Sequence, residues 1–168
     1  VILALTAAAG GGLPDRFRTE LAVPAAARGW RLAITFTPTA GRWMDACGEA
    51  DRLRDLTDLP VRSQSRLPTE PKPYPVPDAF IFAPATANSI AKLAMGITDN
   101  QALTALVEAM GTPGVPVVIR PQANAAQRAH PLFQAHLDTL GRAGCVIADA
   151  DPADPWEPLL DLVEGTVR

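Results

Sequence analysis

Four clusters of small, hydroxyl-bearing or amide side chains follow short apolar runs in this chain, and the most informative is Pro84-Ala85-Thr86-Ala87-Asn88-Ser89. It comes directly after Ala79-Phe80-Ile81-Phe82-Ala83, which reads as a buried strand. It leads into Ile90-Ala91-Lys92-Leu93-Ala94-Met95-Gly96, which has helical spacing. Small residues let a polar ligand approach the backbone closely, and a helix start points amide N–H groups at it. The other clusters are Thr6 to Gly12, Thr37-Pro38-Thr39 and Pro121-Gln122-Ala123-Asn124. Backbone amides at Gly10-Gly11-Gly12 could hold a phosphate, with hydroxyls of Thr37 or Thr39 adding donors. A glycine triplet is equally at home in a plain flexible connection. Asn88 and Asn124 suit a helix N-cap as well as a ligand contact, and one residue can serve both ends.

The elements that must position these clusters alternate between apolar runs and helical patterns, the mark of a parallel α/β sheet. Strands are expected over 1–6, 31–37, 79–83, 115–119 and 145–148. Helices are expected over 14–28, with Phe17, Leu21 and Ala25 on one face, then around 42–46, 49–56, 88–95, 101–110, 125–143 and 158–163. This order predicts one α/β domain over residues 1–168, a single doubly wound parallel sheet of flavodoxin-like, three-layer α/β/α (Rossmann-like) type. Ligands of such folds bind outside the carboxyl ends of the strands, where all four clusters would meet. The stretch 60–77 is rich in proline and poor in apolar residues, so it reads as an extended surface loop, a kind that is often functional.

Composition narrows the classes. With 168 residues, 48% hydrophobic and 20% charged, the chain can bury a core and is not disordered. A net charge of -3 gives no basic footprint for nucleic acid or for an anionic membrane. No apolar run is long enough to span a bilayer. The run Val1 to Ala9 could pass for a signal-peptide core, but it lacks a basic flank, and a first buried strand entering a Gly-rich turn accounts for it better. Cys47 and Cys145 show no metal-ligand spacing and make no framework of several bridges, so reduced thiols in a cytoplasmic protein are expected.

The Pro84–Ser89 segment resembles the PASANT motif of the homo-oligomeric flavin-containing cysteine decarboxylases. Pro84, Ala85, Ala87 and Asn88 are identical to it, Thr86 stands for Ser and Ser89 for Thr. Gly96-Ile97-Thr98-Asp99-Asn100 is similar to the family's Gly-Ile-x-Asp-Asn continuation, and Pro121 and Asn124 are what remains of its Pro-x-Met-Asn-x-x-Met-Trp motif. The resemblance implies FMN, in preference to FAD, as cofactor. It implies that Thr6, Ala7 and Ala8 or their backbone amides replace the family's Gly-Ser-Ile-Ala-Ala run at the phosphate. Thr86 and Asn88, with Pro84, Ala85 and Ser89, would meet the ribityl chain and ring. Asp99 would bond the ring edge or organise a subunit contact beside it. Asn124 would hold the substrate carboxylate and assist its loss as carbon dioxide, with Pro121 and Tyr74 near the substrate.

Further implications concern substrate and assembly. The activity implied is oxidative decarboxylation of a C-terminal peptidyl cysteine, or a related small thiol acid, to an ene-thiol. The alternative is a flavin-binding assembly or regulatory protein without that activity. The histidine that the family carries shortly before this strand has no counterpart in Pro71 to Pro77, where Tyr74 or Lys72 could stand in. His130 and His136 instead follow Asn124 and read as solvent or subunit contacts. Neither cysteine matches the one by which the phosphopantothenoylcysteine enzyme reduces its ene-thiol, so the reaction is expected to stop there. Family members form trimers, some assembled into dodecamers, with flavin at subunit boundaries. The 60–77 loop would close over the peptide. Arg120 is open to pairing with an anion or to a surface role, and Trp156 is expected to clamp the carboxyl tail.

Overall fold

Leu3, Leu5, Ile34, Phe36 and Ile81 alternate with Ala4, Ala33, Phe80 and Phe82 along strands whose two faces are both covered, so apolar residues run on and Thr6 and Thr35 are the buried polar residues among them. The computed structural model describes residues 1–165. Among the described residues six parallel strands form one sheet: β1 (Ile2–Ala7), β2 (Arg31–Phe36), β3 (Val61–Arg62), β4 (Ala79–Thr86), β5 (Val117–Gln122) and β6 (Val146–Ile147). Their order is β3-β2-β1-β4-β5-β6. The chain therefore winds outward from β1 in one direction, then restarts at β4 and winds the other way. The switch point between β1 and β4 is where such sheets open a crevice at the strand carboxyl ends.

One face of the sheet packs against α1 (Leu13–Arg16), a π-helical stretch (Phe17–Ala22), α2 (Val23–Ala27), α3 (Pro38–Ala46), α4 (Glu49–Arg54) and α9 (Leu159–Glu164). The other packs against α5 (Ala87–Ala94), α6 (Gln101–Met110) and α8 (Phe133–Arg142). Phe17, Leu21 and Ala25 are fully buried, as their spacing predicts. Pro24 removes one backbone donor within this rod, and the wider π turn comes immediately before it.

The differences from expectation have local causes. The helix expected over 125–143 is two, α7 (Ala125–Arg128) and α8, because Pro131 lacks an N–H and disfavours helix in the residue before it. The 60–77 stretch contains β3, whose two residues pair with Ile34 and Thr35. β4 runs three residues past Ala83, through a cis Ala83–Pro84 bond and a register shift, because Ala85 and Thr86 still pair with Pro121 and Gln122.

Glu49 opens α4 and is 6% exposed, yet it is charged: it accepts Arg18 Nε at 2.7 Å and Arg52 Nη1 at 2.5 Å. Burial pushes its carboxyl upward, and the two guanidinium hydrogen bonds outweigh that and hold it below the ordinary carboxylate value. A lowered folded-state pKa gives stability that is present above the unfolded value and lost as pH falls through the folded one. Glu49→Gln is therefore expected to cost about 1–3 kcal/mol near neutrality. In urea titrations the gap between variant and wild type should close as pH drops below the ordinary glutamate value of about 4.3.

Candidate functional site

The carboxyl ends of β1, β2, β4 and β5 are stitched together by backbone hydrogen bonds. Thr37 N donates to Ala7 O at 3.0 Å, and Ala8 N donates to Pro84 O at 2.9 Å. Ala85 and Thr86 lie beside Pro121 and Gln122 in the ladder. The Gly10–Gly12 turn lies on the same edge: a Cβ at Gly10 would stand 3.1 Å from the Pro84 ring and 3.4 Å from Gln122. A side chain at Gly10 would have to push these neighbours back by a few tenths of an ångström, and Gly12 in addition has φ 81°, which favours glycine. Three of the expected clusters thus become one surface, and the fourth joins it through Gln122.

Hydrogen-bond donors on this surface are left over after the fold has used its share. The amides of Ala9, Gly11 and Gly12 have no acceptor among the described residues. Thr37 precedes α3 without a side-chain cap bond, and since Pro38 has no N–H and Gly41 N–H donates to Thr37 O, the Thr37 hydroxyl and the Thr39 and Ala40 amides are left without a partner among the described residues. Thr39 Oγ1 accepts from Arg42 Nη2 at 3.0 Å and keeps its own proton to give. Thr86, not Asn88, caps α5: its Oγ1 accepts Ser89 N–H at 3.3 Å, and Ser89 is buried. Asn88 is exposed, and its amide has no partner among the described residues. Asn124 caps α7 in a reciprocal box, accepting Gln127 N–H at 2.9 Å while Gln127 Oε1 accepts Asn124 N–H at 3.1 Å. Only the Oδ1 of Asn124 is consumed, which leaves its NH₂ as an exposed, uncharged donor.

Thr6, Tyr74 and Asp99 direct their side chains to other contacts. The Thr6 side chain lies on the α6 face of the sheet, at one end of a cavity of about 1020 Å³ between β1, β2, the 60–77 loop and α6. Tyr74 lines the same cavity, its hydroxyl accepting Arg62 Nη2 at 3.2 Å. Asp99 pairs with Lys92 Nζ at 2.5 Å, and Asn100 caps α6, so this part of the motif holds the α5–α6 connection. Arg120 is not at the surface. It is 2% exposed, and its Nη2 donates to the carbonyls of Asp151 at 2.8 Å and Asp154 at 3.1 Å. Burial lowers its pKa, but an arginine stays charged. Trp156 is fully buried against the back of this edge, 3.4 Å from where a Gly12 Cβ would be, with Arg16 stacked on its ring at 5.0 Å.

Comparison with known proteins bears on family and fold. The model of the flavoprotein family matches residues 30–167. The chain belongs to that family. A stretch of 67 residues is 40% identical to a cysteine/cysteine sulfinic acid decarboxylase from an unknown prokaryotic organism, and covers 40% of this chain but 18% of that protein. Among solved structures, the FMN-dependent cysteine decarboxylase TvaF from thioviridamide biosynthesis superposes with a TM-score of 0.79 at 24% identity, covering 99% of this flavoprotein and 98% of TvaF. The FMN-dependent cysteine decarboxylase SpaF gives 0.69 at 23% identity, with 100% and 98% covered. The epidermin biosynthesis protein EpiD from Staphylococcus aureus gives 0.66 at 17% identity, with 95% and 89% covered. At these identities the superpositions establish the shared doubly wound fold.

Other groups sit away from the edge. Cys145 is buried in the layer under α8, and burial pushes its thiol up to about 11. Cys47 follows the end of α3 opposite Thr37. His130 Nδ1 accepts Leu132 N–H at 3.2 Å in the turn between α7 and α8, and His136 lies within α8. Among the described residues, no helix is long and apolar enough to cross a membrane.

Proposed function

We propose that this flavoprotein binds FMN along the stitched strand edge and catalyses oxidative decarboxylation of a C-terminal peptidyl cysteine, or a related thiol acid, to an ene-thiol. The observation that carries the proposal is the set of unused donors on one edge, from the Ala9, Gly11 and Gly12 amides to the free NH₂ of Asn124. Their chemistry fits a phosphorylated cofactor: free amides at a glycine turn and the start of the nine-residue α3 favour a phosphate dianion. Ala7, Ala8, Thr37 and Thr39 would surround that phosphate, and Pro84, Ala85, Thr86, Asn88 and Ser89 the ribityl chain and ring. FMN is preferred to FAD because the solved relatives TvaF and SpaF are described as FMN-dependent.

When bound, FMN supplies the two-electron oxidation that turns the thiol-bearing carbon of the substrate into a thioaldehyde. The neighbouring carboxylate can then leave as carbon dioxide, because its electron pair passes through the adjacent carbon to sulfur, and one proton completes the ene-thiol. Asn124 contributes orientation. Its neutral NH₂ can hold the carboxylate without the strong ion pair that would stabilise the charge about to be lost. Neither thiol of the chain is positioned to reduce the product, since Cys145 is buried and Cys47 is at the far end of α3.

The exposed Asn88 and Asn124 amides further support a homo-oligomer, trimeric or built of trimers into a dodecamer, in which a second copy covers the flavin. A cytoplasmic location is part of the same proposal. The protein should purify yellow, release FMN on denaturation, and convert short peptides ending in cysteine to products lighter by carbon dioxide and two hydrogens in mass spectra. A yellow protein inert toward every such peptide would support the other reading, a flavin-binding assembly or regulatory partner. That reading draws its support from the lack of a histidine ahead of β4. A colourless protein that takes up no added FMN would overturn both.

A further inference from the structure

The cavity under the 60–77 loop is chemically unlike the rest of this acidic protein. The chain carries a net charge of -3, yet the charged side chains lining the cavity are Arg62, Arg66 and Lys72 against Glu108 alone. A concave, low-dielectric enclosure with that surplus of positive charge concentrates anions. Its volume of about 1020 Å³ is enough for a short peptide segment or a small molecule.

The floor also asks for a ligand. Thr6 and Thr35 sit side by side in the β1–β2 register, 1% and 3% exposed, and both line the cavity. Their side chains are the polar groups that this part of the sheet presents to the cavity. Valine has nearly the same shape and would serve a merely apolar wall, whereas threonine adds a hydroxyl that can both donate and accept. The loop over the cavity is attached to α6. Ser65 Oγ donates to Gln101 Oε1 at 3.0 Å, which fastens one end of the loop to α6. Arg62 lies under Tyr74, with its guanidinium 5.4 Å from the ring centre, and its Nε is buried without an acceptor among the described residues. Arg66 spends Nη1 on the carbonyls of Leu67 and Glu70, and Lys72 forms no ion pair among the described residues.

We propose that this cavity binds a carboxylate, and that the carboxylate is an acidic side chain of the peptide substrate upstream of its terminal cysteine. Arg62 and Lys72 would meet the anion, with the Thr6 and Thr35 hydroxyls bonding the peptide on the floor. The identity of the bound chain as substrate rests on the decarboxylase proposal; the preference for a carboxylate does not.

Isothermal titration of the purified flavoprotein with the peptides Glu-Glu-Cys and Gln-Gln-Cys separates the two. The Glu peptide is expected to bind about tenfold more tightly, as a charge-assisted hydrogen bond does over a neutral one. That preference should fall to about twofold or less in Arg62→Gln and in Lys72→Gln, the second of which replaces an exposed loop residue and leaves the fold intact. Equal affinity for the two peptides, or a preference unchanged in both variants, overturns the proposal. Glutarate binding as tightly as the Glu peptide would overturn the assignment to a peptide and mark a small-acid site instead. A Glu preference without any release of carbon dioxide would sustain the site and reject the decarboxylase reading.

Discussion

Asn124→Asp is expected to lower kcat/KM for a cysteine-terminated peptide by about a hundredfold or more while leaving folding and flavin content unchanged. The substitution separates two jobs that the asparagine does at once. As the cap of α7, Asn124 uses its Oδ1 to accept Gln127 N–H, and aspartate caps a helix equally well through the same oxygen. The capping box therefore survives, and with it the path of the chain from β5 into α7. What changes is the other end of the side chain, where an exposed NH₂ donor becomes a second carboxylate oxygen facing the substrate carboxylate. Losing a donor and gaining a like charge act in the same direction. Asn124→Ala is the poorer experiment, because it also removes a cap worth about 1 kcal/mol and confounds chemistry with folding. The measurement is peptide conversion by mass spectrometry, with thermal melting and flavin absorbance as controls. An Asp variant of wild-type activity would show that this amide does not meet the reacting carboxylate.

The sheet was legible because its strands are continuous apolar runs separated by helical spacing, and such runs demand cover on both faces. The convergence of Thr37, Pro84–Ser89 and Asn124 on one edge followed from topology alone, since parallel strands place all their carboxyl ends together. β3 was hidden because two residues, Val61 and Arg62, carry no periodicity and become a strand only through Ile34 and Thr35. Pro84 looked like a strand end, as proline cannot donate to a ladder. Its carbonyl still accepts from Ala8, and the chain keeps pairing with β5 past it. Arg120 looked exposed because its partners, the carbonyls of Asp151 and Asp154, come from a loop more than thirty residues later in the chain. The cavity could not be read at all, since it exists only when the 60–77 loop folds back across Thr6 and Thr35 toward α6. The side on which Thr6 falls was within reach: Leu3, Leu5 and Ala7 face one layer, so Ala4 and Thr6 must face the other.

Trp156→Ala should be the most destabilising single change in the carboxyl-terminal third, at about 3–5 kcal/mol. The indole is fully buried with Leu159, Leu160 and Val163 in the layer that covers β1, β4 and β5. Around it the tail is tied to the first helix. Glu20 accepts Trp156 N–H at 2.8 Å and Arg16 Nε at 2.7 Å, and Arg16 also donates to the carbonyls of Pro152 and Asp154, both at 2.6 Å. The arginine hydrogen bond, foremost, keeps the Glu20 carboxyl below its ordinary value. Removing the ring empties the space behind Gly12 and takes away the surface on which Arg16 stacks, so the Gly10–Gly12 turn should loosen and FMN affinity fall with stability. Trp156→Phe tests the cause. The indole Nε1 has no acceptor among the described residues, so phenylalanine forfeits volume but no hydrogen bond and should cost about half as much. Trp43, 45% exposed on α3, is the control, with an expected effect within about 0.5 kcal/mol on substitution by alanine. Urea titrations should show the midpoint falling in the order Trp43→Ala, Trp156→Phe, Trp156→Ala at constant slope. If Trp156→Phe proves as damaging as Trp156→Ala, the indole N–H must be bonded after all, and packing is not what holds the tail to the strand edge.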